Sequence, residues 1–492
     1  MLFNSYIFIF LFLPLTLIGW NILNKLSKYK TALAFLTVMS LWFYSYFNKY
    51  YLIIIVARIA GNYSLSAFWD IKEKSDRVTK GNRIFILLSG IALNLGILFY
   101  YKYYDFFIEN INMVFKTDYS LRHILLPLGI SFFTFQQLSY MIDRYMGKAP
   151  HYSLLEYAAF VSFFPQLIAG PIVLHSELIP QFKDVSKRYW DGDKFYDGIV
   201  IFVIGLSKKV LLADTLARIA NYGFENAIFL DSFSSMAMLV AYSLELYFDF
   251  SGYTDMAIGV ALIFNIELPA NFNSPYKSLD IREFWRRWHI TLSRFLRDYI
   301  YIPLGGNRAG EVRLYVNLML TFLIGGLWHG AAWTFVFWGF LHGAALCLHR
   351  LWMKTGISLP KIPAWFITFN FINAAWVFFR ASSIGDAFRI LKSMAGLNGV
   401  LVSPNLAGSA FWQKMTALGV QFGHWRAHLP EVEPMEYFLC ILLIPVVLFL
   451  KNSNYYLGQF VPTWKNATWT ALMLTLGLLL LNRTSSFLYF NF

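Results

Sequence analysis

The sequence predicts an all-α polytopic membrane protein, with about eleven transmembrane helices and additional re-entrant and interfacial helices. Hydrophobic residues make up 58% of the 492 residues, charged residues make up 14%, and the mean hydropathy is +0.50. Many apolar runs approach the roughly 20 residues that a helix needs to cross a bilayer core. Lys and Arg fall mainly in short connections between these runs, so the net charge of +13 indicates cytoplasmic loops and not nucleic-acid binding.

The apolar runs, taken in order, give the candidate spans. Several are short or are interrupted by Gly and Pro, so fewer crossings than runs are expected. We interpret residues 1–492 as one membrane domain, with N-terminal helices in 1–120, a core in 121–350 and C-terminal helices in 351–492. The runs are residues 4–23, 31–47, 50–69, 84–103, 121–142, 153–173, 196–217, 233–265, 314–326, 328–349, 363–380, 436–451 and 468–488.

Basic loops predict the orientation of these spans. The connections 24–30 and 71–83 are rich in Lys and Arg, and two spans separate them. Short basic loops stay in the cytoplasm, so both connections should face the cytoplasm. This places the N-terminus and the loop at 104–120 outside. The first run, 4–23, lacks a basic start and a small-residue cleavage site, so we expect a retained span.

Two regions depart from simple spans. Residues 163–173 place prolines and a glycine inside an apolar run, which predicts a re-entrant element covered by protein or lining a cavity. Residues 271–313 are basic and aromatic, and apolar residues recur at helical spacing over 281–301. This spacing predicts an amphipathic helix at the membrane surface. Its arginines would face lipid headgroups or a phosphorylated ligand, and the two interpretations are about equally favoured; they are Arg286, Arg287, Arg294 and Arg297.

One histidine lies in an apolar stretch, "IGGLWHGAAWTF" (324–335). Small residues surround His329 and allow other helices to approach closely, while nearby tryptophans, among them Trp328, Trp333 and Trp338, could wall a cavity. Histidine suits proton transfer near neutral pH. A core histidine bonded to a backbone carbonyl is the more common explanation of such a pattern, and the pattern alone does not exclude it.

Charged residues inside apolar runs give further candidates. Asp249 and Asp255 lie in "LYFDFSGYTDMAIG" (246–259), where they would orient an imidazole, pair with downstream arginines, or form purely structural ion pairs. Lys208 and Lys209 are expected to reach towards cytoplasmic headgroups. His289, within the predicted surface helix, is more often incidental than functional.

The remaining histidines and the cysteines carry weaker signals. His424 and His428 are spaced i, i+4 but lack the glutamate of the metalloprotease motif, so no metal site is expected. His342 and His349 share a helix face without an evident third ligand, and the roles of these four histidines stay open. The two cysteines, Cys347 and Cys440, imply neither a disulfide framework nor a Cys-based metal site.

Four segments together resemble the membrane-bound O-acyltransferases, most closely the bacterial branch that O-acetylates alginate and peptidoglycan. The resemblance covers about residues 1–380 and is weaker beyond. The segments are "LLPLGISFFTFQQLSYMIDRY" (125–145), "SFFPQLIAGPI" (162–172), 247–306 including "WRRWHITLS", and "GGLWHGAAWTFVFWGFLHG" (325–343).

The resemblance implies a mechanism. His329 matches the family histidine that lies in a membrane tunnel and is essential for acyl transfer. His289 matches the second family histidine, and with the arginines near it would position the donor or polarise its carbonyl. His329 would deprotonate an acceptor hydroxyl that attacks an acetyl thioester. The broken helices at 163–173 and 250–255 would line the tunnel. The further residues implied for substrate binding or the tunnel are Trp328, Trp333, Asp249, Asp255, Trp285, Arg286, Arg287, Trp288 and Asn273.

The resemblance also implies partners and a location. Acetyl-CoA or another acyl thioester would be the donor, with no tightly bound cofactor and no metal. A periplasmic acetyltransferase of the SGNH type, or another polysaccharide-modification subunit, would complete the transfer from the bacterial cytoplasmic (inner) membrane. Membrane lipid is the other expected partner, and no nucleic acid is expected.

Three alternatives stay open. D-alanyl transfer to teichoic acid is the nearest, although the chain length and the sequence of the "GGLWHGAAW" motif favour acetylation. A transporter would use Asp249, Asp255 and the arginines as a substrate path. A scaffold that recruits a periplasmic enzyme would not depend on His329.

Overall fold

The computed structural model describes residues 1–74, 80–226, 230–308, 310–424, 429, 431–483 and 487–488. Most of these residues are helical, and five helical stretches among them are long and apolar enough to cross a membrane. This confirms a helical membrane protein, while the predicted number of crossings stays a prediction. The stretches are Phe8–Lys25, Lys49–Trp69, Gly81–Phe115, Glu311–His329 and Lys361–Arg380.

The N-terminal helices follow the predicted runs, with one difference. Helix continues without a turn from residue 80 to Phe115, because π-helical residues Phe99–Tyr103 join two α-helices. The prediction of a loop at 104–120 is therefore wrong over most of its length, while the side of the membrane on which these residues lie stays a prediction. The helices are α1 (Leu13–Lys25, preceded by π-helical Phe8–Phe12), α2 (Tyr29–Ser45), α3 (Lys49–Lys74), α4 (Lys80–Leu98) and α5 (Tyr104–Phe115).

The central helices surround the candidate site. They are α6 (Ile130–Tyr145), α7 (Leu154–Ser162), α8 (Phe164–Leu167), α9 (His175–Lys183), α10 (Gly192–Ser207), α11 (Asp214–Glu225), α12 (Ser232–Ile263), α13 (Ile281–Arg287), α14 (Ile290–Leu296), α15 (Glu311–His329) and α16 (Trp333–Lys354). π-Helical residues Lys208–Ala213 connect α10 to α11, and Arg297–Tyr301 follow α14.

The C-terminal part adds helices and a small sheet. Two short parallel strands, β1 (Val400–Val402) and β2 (Val420–Phe422), pair in register from Val400 with Val420. The class is therefore not purely α, a point that hydrophobic periodicity over three-residue strands could not reveal. The helices are α17 (Lys361–Arg380), α18 (Ile384–Met394), α19 (Ala410–Met415), α20 (Pro434–Phe449), α21 (Ser453–Tyr456) and α22 (Trp464–Leu480).

The predicted interruption at 163–173 is confirmed. Helix α7 ends at Ser162, Pro165 lies in the first turn of the short α8, and residues 168–174 are not helical. Backbone groups that have no partner within a helix are bonded to side chains here. The N–H of Ile172 donates to Thr291 Oγ1 at 2.9 Å, and the Ile172 carbonyl accepts from Arg294 Nη2 at 3.1 Å. Such pairing is what allows broken backbone at membrane depth.

The predicted interruption at 250–255 is wrong, because α12 is continuous from Ser232 to Ile263. Gly252 serves close packing instead of a break. A Cβ atom on Gly252 would lie 2.8 Å from the carbonyl oxygen of Gly205 on α10, and one on Gly205 would lie 2.5 Å from the carbonyl oxygen of Gly252. Glycine here lets two helix backbones approach.

The predicted single surface helix over 281–301 is also wrong. Helices α13 and α14 are separated at Trp288 and His289, and His289 has a left-handed backbone with φ of 43°. The apolar residues at helical spacing pack into the protein, because Phe284 and Leu292 are buried. Periodicity correctly found the helical residues, but it could not distinguish a protein core from a membrane surface.

Candidate active site

His329 is the last residue of α15, where the chain turns towards α16. His329 is only 5% exposed. The rings of Trp328, Trp338 and Phe379 lie 5.0–5.1 Å from its imidazole, measured between ring centroids. The turn requires glycine, because a Cβ on Gly330 would lie 2.1 Å from the ring of Phe335. The small residues of the motif therefore fix the turn that follows the histidine.

His289 lies next to His329. It is fully buried at the junction of α13 and α14, and the two imidazole centroids are 6.4 Å apart. The Phe250 ring packs edge-on against it at 4.8 Å. The structure thus brings together two histidines that are 40 positions apart in the chain, and it places His289 in the interior and not on a membrane-facing surface.

Lys102 closes the C-terminal end of α15. Its ammonium group donates to the carbonyl oxygens of Trp328 at 2.6 Å and His329 at 2.9 Å, while the neighbouring Tyr103 hydroxyl donates to Leu327 at 2.7 Å. The last carbonyls of a helix lack partners within the helix and favour a cation. Sequence reasoning missed Lys102, although a lysine near the end of an apolar run signals a functional or paired position.

A partly enclosed cavity adjoins these groups. Its volume is about 60 Å³. His329 and Lys102 contribute to one side, and Ile168 and Ala169 from the interrupted segment contribute to another. The break at 163–173 therefore forms part of the wall beside His329. Other lining residues are Gly129, Ser131, Phe132 and Trp328.

The remaining tryptophans lie in different places. The Trp285 indole donates to His342 Nδ1 at 3.2 Å, and Trp288 packs against Trp376 with ring centroids 5.0 Å apart. Both indoles are buried behind the histidines. Trp333, in contrast, is 53% exposed and donates to Asn110 on α5 at 2.8 Å, so it lies outside the cavity that contains His329.

The carboxylates pair with lysines from the π-helical segment and not with the downstream arginines. Lys208 bonds to Asp255 at 2.6 Å, and Lys209 bonds to Asp249 at 2.9 Å and to Asp214 at 2.7 Å. The Lys209 and Asp249 side chains are nearly fully buried. The expectation that both lysines reach the headgroups is wrong, since each neutralises a buried carboxylate.

The arginines form a mixed set. Arg294 makes a bidentate pair with Glu177 at 2.5 and 2.9 Å, which holds α14 against α9. Arg287 pairs with Glu283 and donates to the Asn273 carbonyl at 3.1 Å. Arg286 is exposed. The interpretation of Arg294 as a headgroup or phosphate ligand is therefore wrong, because its guanidinium group is already engaged by a carboxylate.

Among the other histidines, His175 was missed by sequence reasoning. It is buried, its Nε2 lies 3.0 Å from Asp143 Oδ2, and its Nδ1 lies 3.0 Å from the Tyr152 hydroxyl. No recognisable spacing links these residues. His349 lies 3.7 Å from Asp280, and the i, i+4 pair at 424 and 428 falls partly outside the described residues.

Comparison with known proteins identifies the class of protein. The model of the membrane-bound O-acyltransferase family matches residues 147–385, which include both histidines and the interrupted segment. A peptidoglycan O-acetyltransferase of Helicobacter pylori is 44% identical and aligns with 100% of this chain and 98% of its own. The chain therefore belongs to the membrane-bound O-acyltransferase family and is an O-acyltransferase.

Two further relatives refine the position within the family. A probable alginate O-acetylase of Pseudomonas aeruginosa is 41% identical over 80% of this chain and 75% of its own. A teichoic acid D-alanyltransferase of Bacillus subtilis is 27% identical over 60% of this chain and 77% of its own. Identity is thus higher to the two acetylating relatives than to this D-alanylating one.

Proposed function

We propose that this enzyme moves an acetyl group from a cytoplasmic thioester across the bacterial inner membrane, for O-acetylation of an extracellular polysaccharide or of peptidoglycan. The observation that carries the proposal is the pair of buried histidines, 6.4 Å apart, of which His329 lines a cavity together with Lys102 and residues of the interrupted segment. The identities to acetylating relatives favour acetate over D-alanine. Residues 121–350, which contain both histidines, form the catalytic core, and Lys102 joins the site from the N-terminal helices.

In the proposed reaction His329 is the general base. Its neutral imidazole takes the proton of an acceptor hydroxyl as the hydroxyl oxygen forms a bond to the thioester carbonyl carbon. The carbon–sulfur bond then breaks, and the leaving thiolate takes the proton from the imidazolium. A positioned base contributes about 10²–10⁴-fold to such a step. Acetyl-CoA is the donor we favour, and Arg286 and Arg287 are candidates for contacts with its phosphates.

Helix lengths support transfer across the membrane. With the basic connections at 24–30 and 71–83 in the cytoplasm and the N-terminus outside, α4 runs outward. At a rise of about 1.5 Å per residue, Lys102 lies roughly 32 Å from Gly81, close to the outer boundary of the hydrocarbon core. His329 lies roughly 27 Å from Glu311 at the start of α15. With Glu311 on the cytoplasmic side, both helix lengths support a site in the outer half of the membrane, from which a periplasmic partner of the SGNH type would collect the acetyl group.

The test is release of acetate and D-alanine from envelope glycans by mild alkali. We compare wild type, a deletion strain and His329→Ala at matched membrane abundance. His349→Ala is the control, because it removes a histidine near Asp280. We expect His329→Ala to lose acetate to the level of the deletion strain, with His349→Ala retaining it.

Other results would support the alternatives. Loss of D-alanine and not acetate would assign the enzyme to teichoic acid modification. Ester at wild-type level in His329→Ala, with loss in the deletion strain, would contradict the base and favour a transporter or scaffold. Absence of the protein from membranes would indicate that His329 is needed for folding.

A further inference from the structure

The side chain of Asn271 contacts His289 from the segment that precedes α13. Asn271 is fully buried, and its Oδ1 lies 3.1 Å from His289 Nδ1. The same oxygen accepts from the Thr291 backbone N–H at 3.2 Å and from Thr291 Oγ1 at 3.0 Å. Three polar groups therefore converge on one atom of the amide.

The identity of that atom follows from its partners. A backbone N–H can only donate, so the atom facing Thr291 must be the amide oxygen and not the nitrogen. The Thr291 hydroxyl accepts from the Ile172 N–H at 2.9 Å, which leaves its own hydrogen for Asn271. Since the oxygen can only accept, His289 Nδ1 must carry a hydrogen. In the neutral imidazole the hydrogen is then on Nδ1, and Nε2 holds the lone pair.

Backbone hydrogen bonds hold the segment that contains Asn271 against the junction of α13 and α14. The Ile290 N–H donates to the Asn271 carbonyl at 2.9 Å, and the Asn273 N–H donates to the Arg287 carbonyl at 2.9 Å. These bonds lie on either side of His289, whose backbone has the rare left-handed conformation. Asn271 thus positions both the backbone and the ring of the histidine.

A small polar cavity adjoins Asn271. Its volume is about 10 Å³, room for about one water molecule, and the Lys208–Asp255 ion pair lines it together with Asn271, Ser251 and Thr254. Asn271 Nδ2, Ser251 Oγ and Thr254 Oγ1 are buried and have no hydrogen-bond partner among the described residues. A cavity with several such atoms is suited to ordered water, which would complete the hydrogen bonding of the amide.

We propose that Asn271 is a positioning residue that fixes the Nδ1–H tautomer of His289 and leaves Nε2 as an acceptor. The tautomer follows from the geometry, whereas its chemical consequence rests on the proposed function. A neutral His289 cannot donate from Nε2 to the thioester carbonyl. It instead accepts a hydrogen bond at Nε2, and the group it orients is the acceptor hydroxyl.

The first test is solid-state NMR of the full-length protein in lipid with ¹⁵N- and ¹³C-labelled histidine. His289→Gln assigns the signals of this residue by difference. We expect the Nδ1–H form in the wild type and a mixture of tautomers in Asn271→Leu. An Nε2–H signal in the wild type would overturn the proposal. This measurement needs no activity, so it stands apart from the test of the proposed function.

The second test measures ester release against pH. Loss of an outer-shell partner that orients a metal-ligating histidine costs about 10–100-fold, and we expect a loss of activity of similar size in Asn271→Leu. Asn271→Asp keeps the acceptor oxygen, but its carboxylate favours the imidazolium, so activity should return only on the alkaline side of the profile. Asn373→Leu is the control, because it removes another buried asparagine, which bonds to Ser243 and Phe369.

Three outcomes of the second test would overturn the proposal. These are wild-type activity in Asn271→Leu, an unshifted profile in Asn271→Asp, and an equal loss of activity per molecule in Asn373→Leu. If the tautomer is found as expected and His289→Gln retains full activity, the positioning of His289 holds and the orientation of the acceptor hydroxyl by its Nε2 fails.

Discussion

Two apolar segments that the sequence predicts to be interrupted fold differently. Residues 163–174 are interrupted, whereas α12 continues through Gly252. The first segment contains prolines, which remove a backbone donor and clash with the preceding turn. The second contains only glycine, which keeps its N–H, and neighbouring helices decide what it does. A glycine inside a membrane helix therefore indicates close packing as readily as a break.

The two segments also differ in which polar groups they bury and in what pairs with those groups. The interrupted segment receives hydrogen bonds from Thr291 and Arg294, which belong to α14 and lie close in sequence to His289. Helix α12 carries buried carboxylates that are neutralised by Lys208 and Lys209. The first arrangement forms a cavity wall beside the site, and the second forms a rigid support behind it.

The largest loss of stability is expected on substitution of Lys209, which pairs with the buried carboxylates beside and on α12. Lys209→Met leaves Asp214 and Asp249 buried without their cation, and breaking such a pair costs about 3–5 kcal/mol. We expect the protein to fall in membrane abundance and in thermal stability in detergent. Adding Asp249→Asn should restore part of the loss, because it removes one of the two uncompensated charges. Wild-type stability in Lys209→Met would show that the ion pairs do not support α12.

A smaller effect is expected where α10 and α12 touch. Gly205→Val places side-chain atoms against the Gly252 carbonyl and the Met256 N–H, and such overpacking costs about 1–3 kcal/mol. Thermal unfolding in detergent measures the loss. Gly96→Val on α4 is the matched control, since a Cβ at Gly96 meets nothing within 4 Å. Equal effects of the two substitutions would contradict close packing as the role of Gly205.

The interrupted segment should depend on Thr291. Thr291→Val removes the acceptor of the Ile172 N–H with little change of volume, and an unsatisfied buried donor costs about 1–3 kcal/mol. Thr291 also bonds to Asn271, which contacts His289. Ester release per folded molecule should therefore fall as well, and not only the free energy of unfolding. A loss of stability without any loss of activity would separate the segment from the site.

Much of this arrangement was predictable from residue patterns, and the rest depended on distant contacts. Hydropathy correctly gave a helical membrane protein, and Pro165 correctly gave an interrupted segment. The family motifs singled out His329 and His289, but no pattern indicated that Asn271 bonds to His289 or that Lys102 caps α15. The error at 104–120 arose because no residue pattern indicated that π-helical residues Phe99–Tyr103 would join α4 to a further helix.

The smallest effect is expected just beyond α12, at an exposed cluster. Glu267 Oε1 accepts from Lys187 at 2.8 Å and Lys194 at 2.7 Å, and these hydrogen bonds lower the pKa of Glu267 to about 2. A carboxyl whose folded pKa is depressed stabilises the fold above its unfolded pKa of about 4.3, and this contribution is lost as pH falls towards 2. Since the side chain is half exposed, the contribution is about 0–1 kcal/mol. Glu267→Gln should therefore unfold at a slightly lower temperature than wild type at pH 7 and converge with it at low pH, whereas a constant difference across pH would indicate packing and not charge.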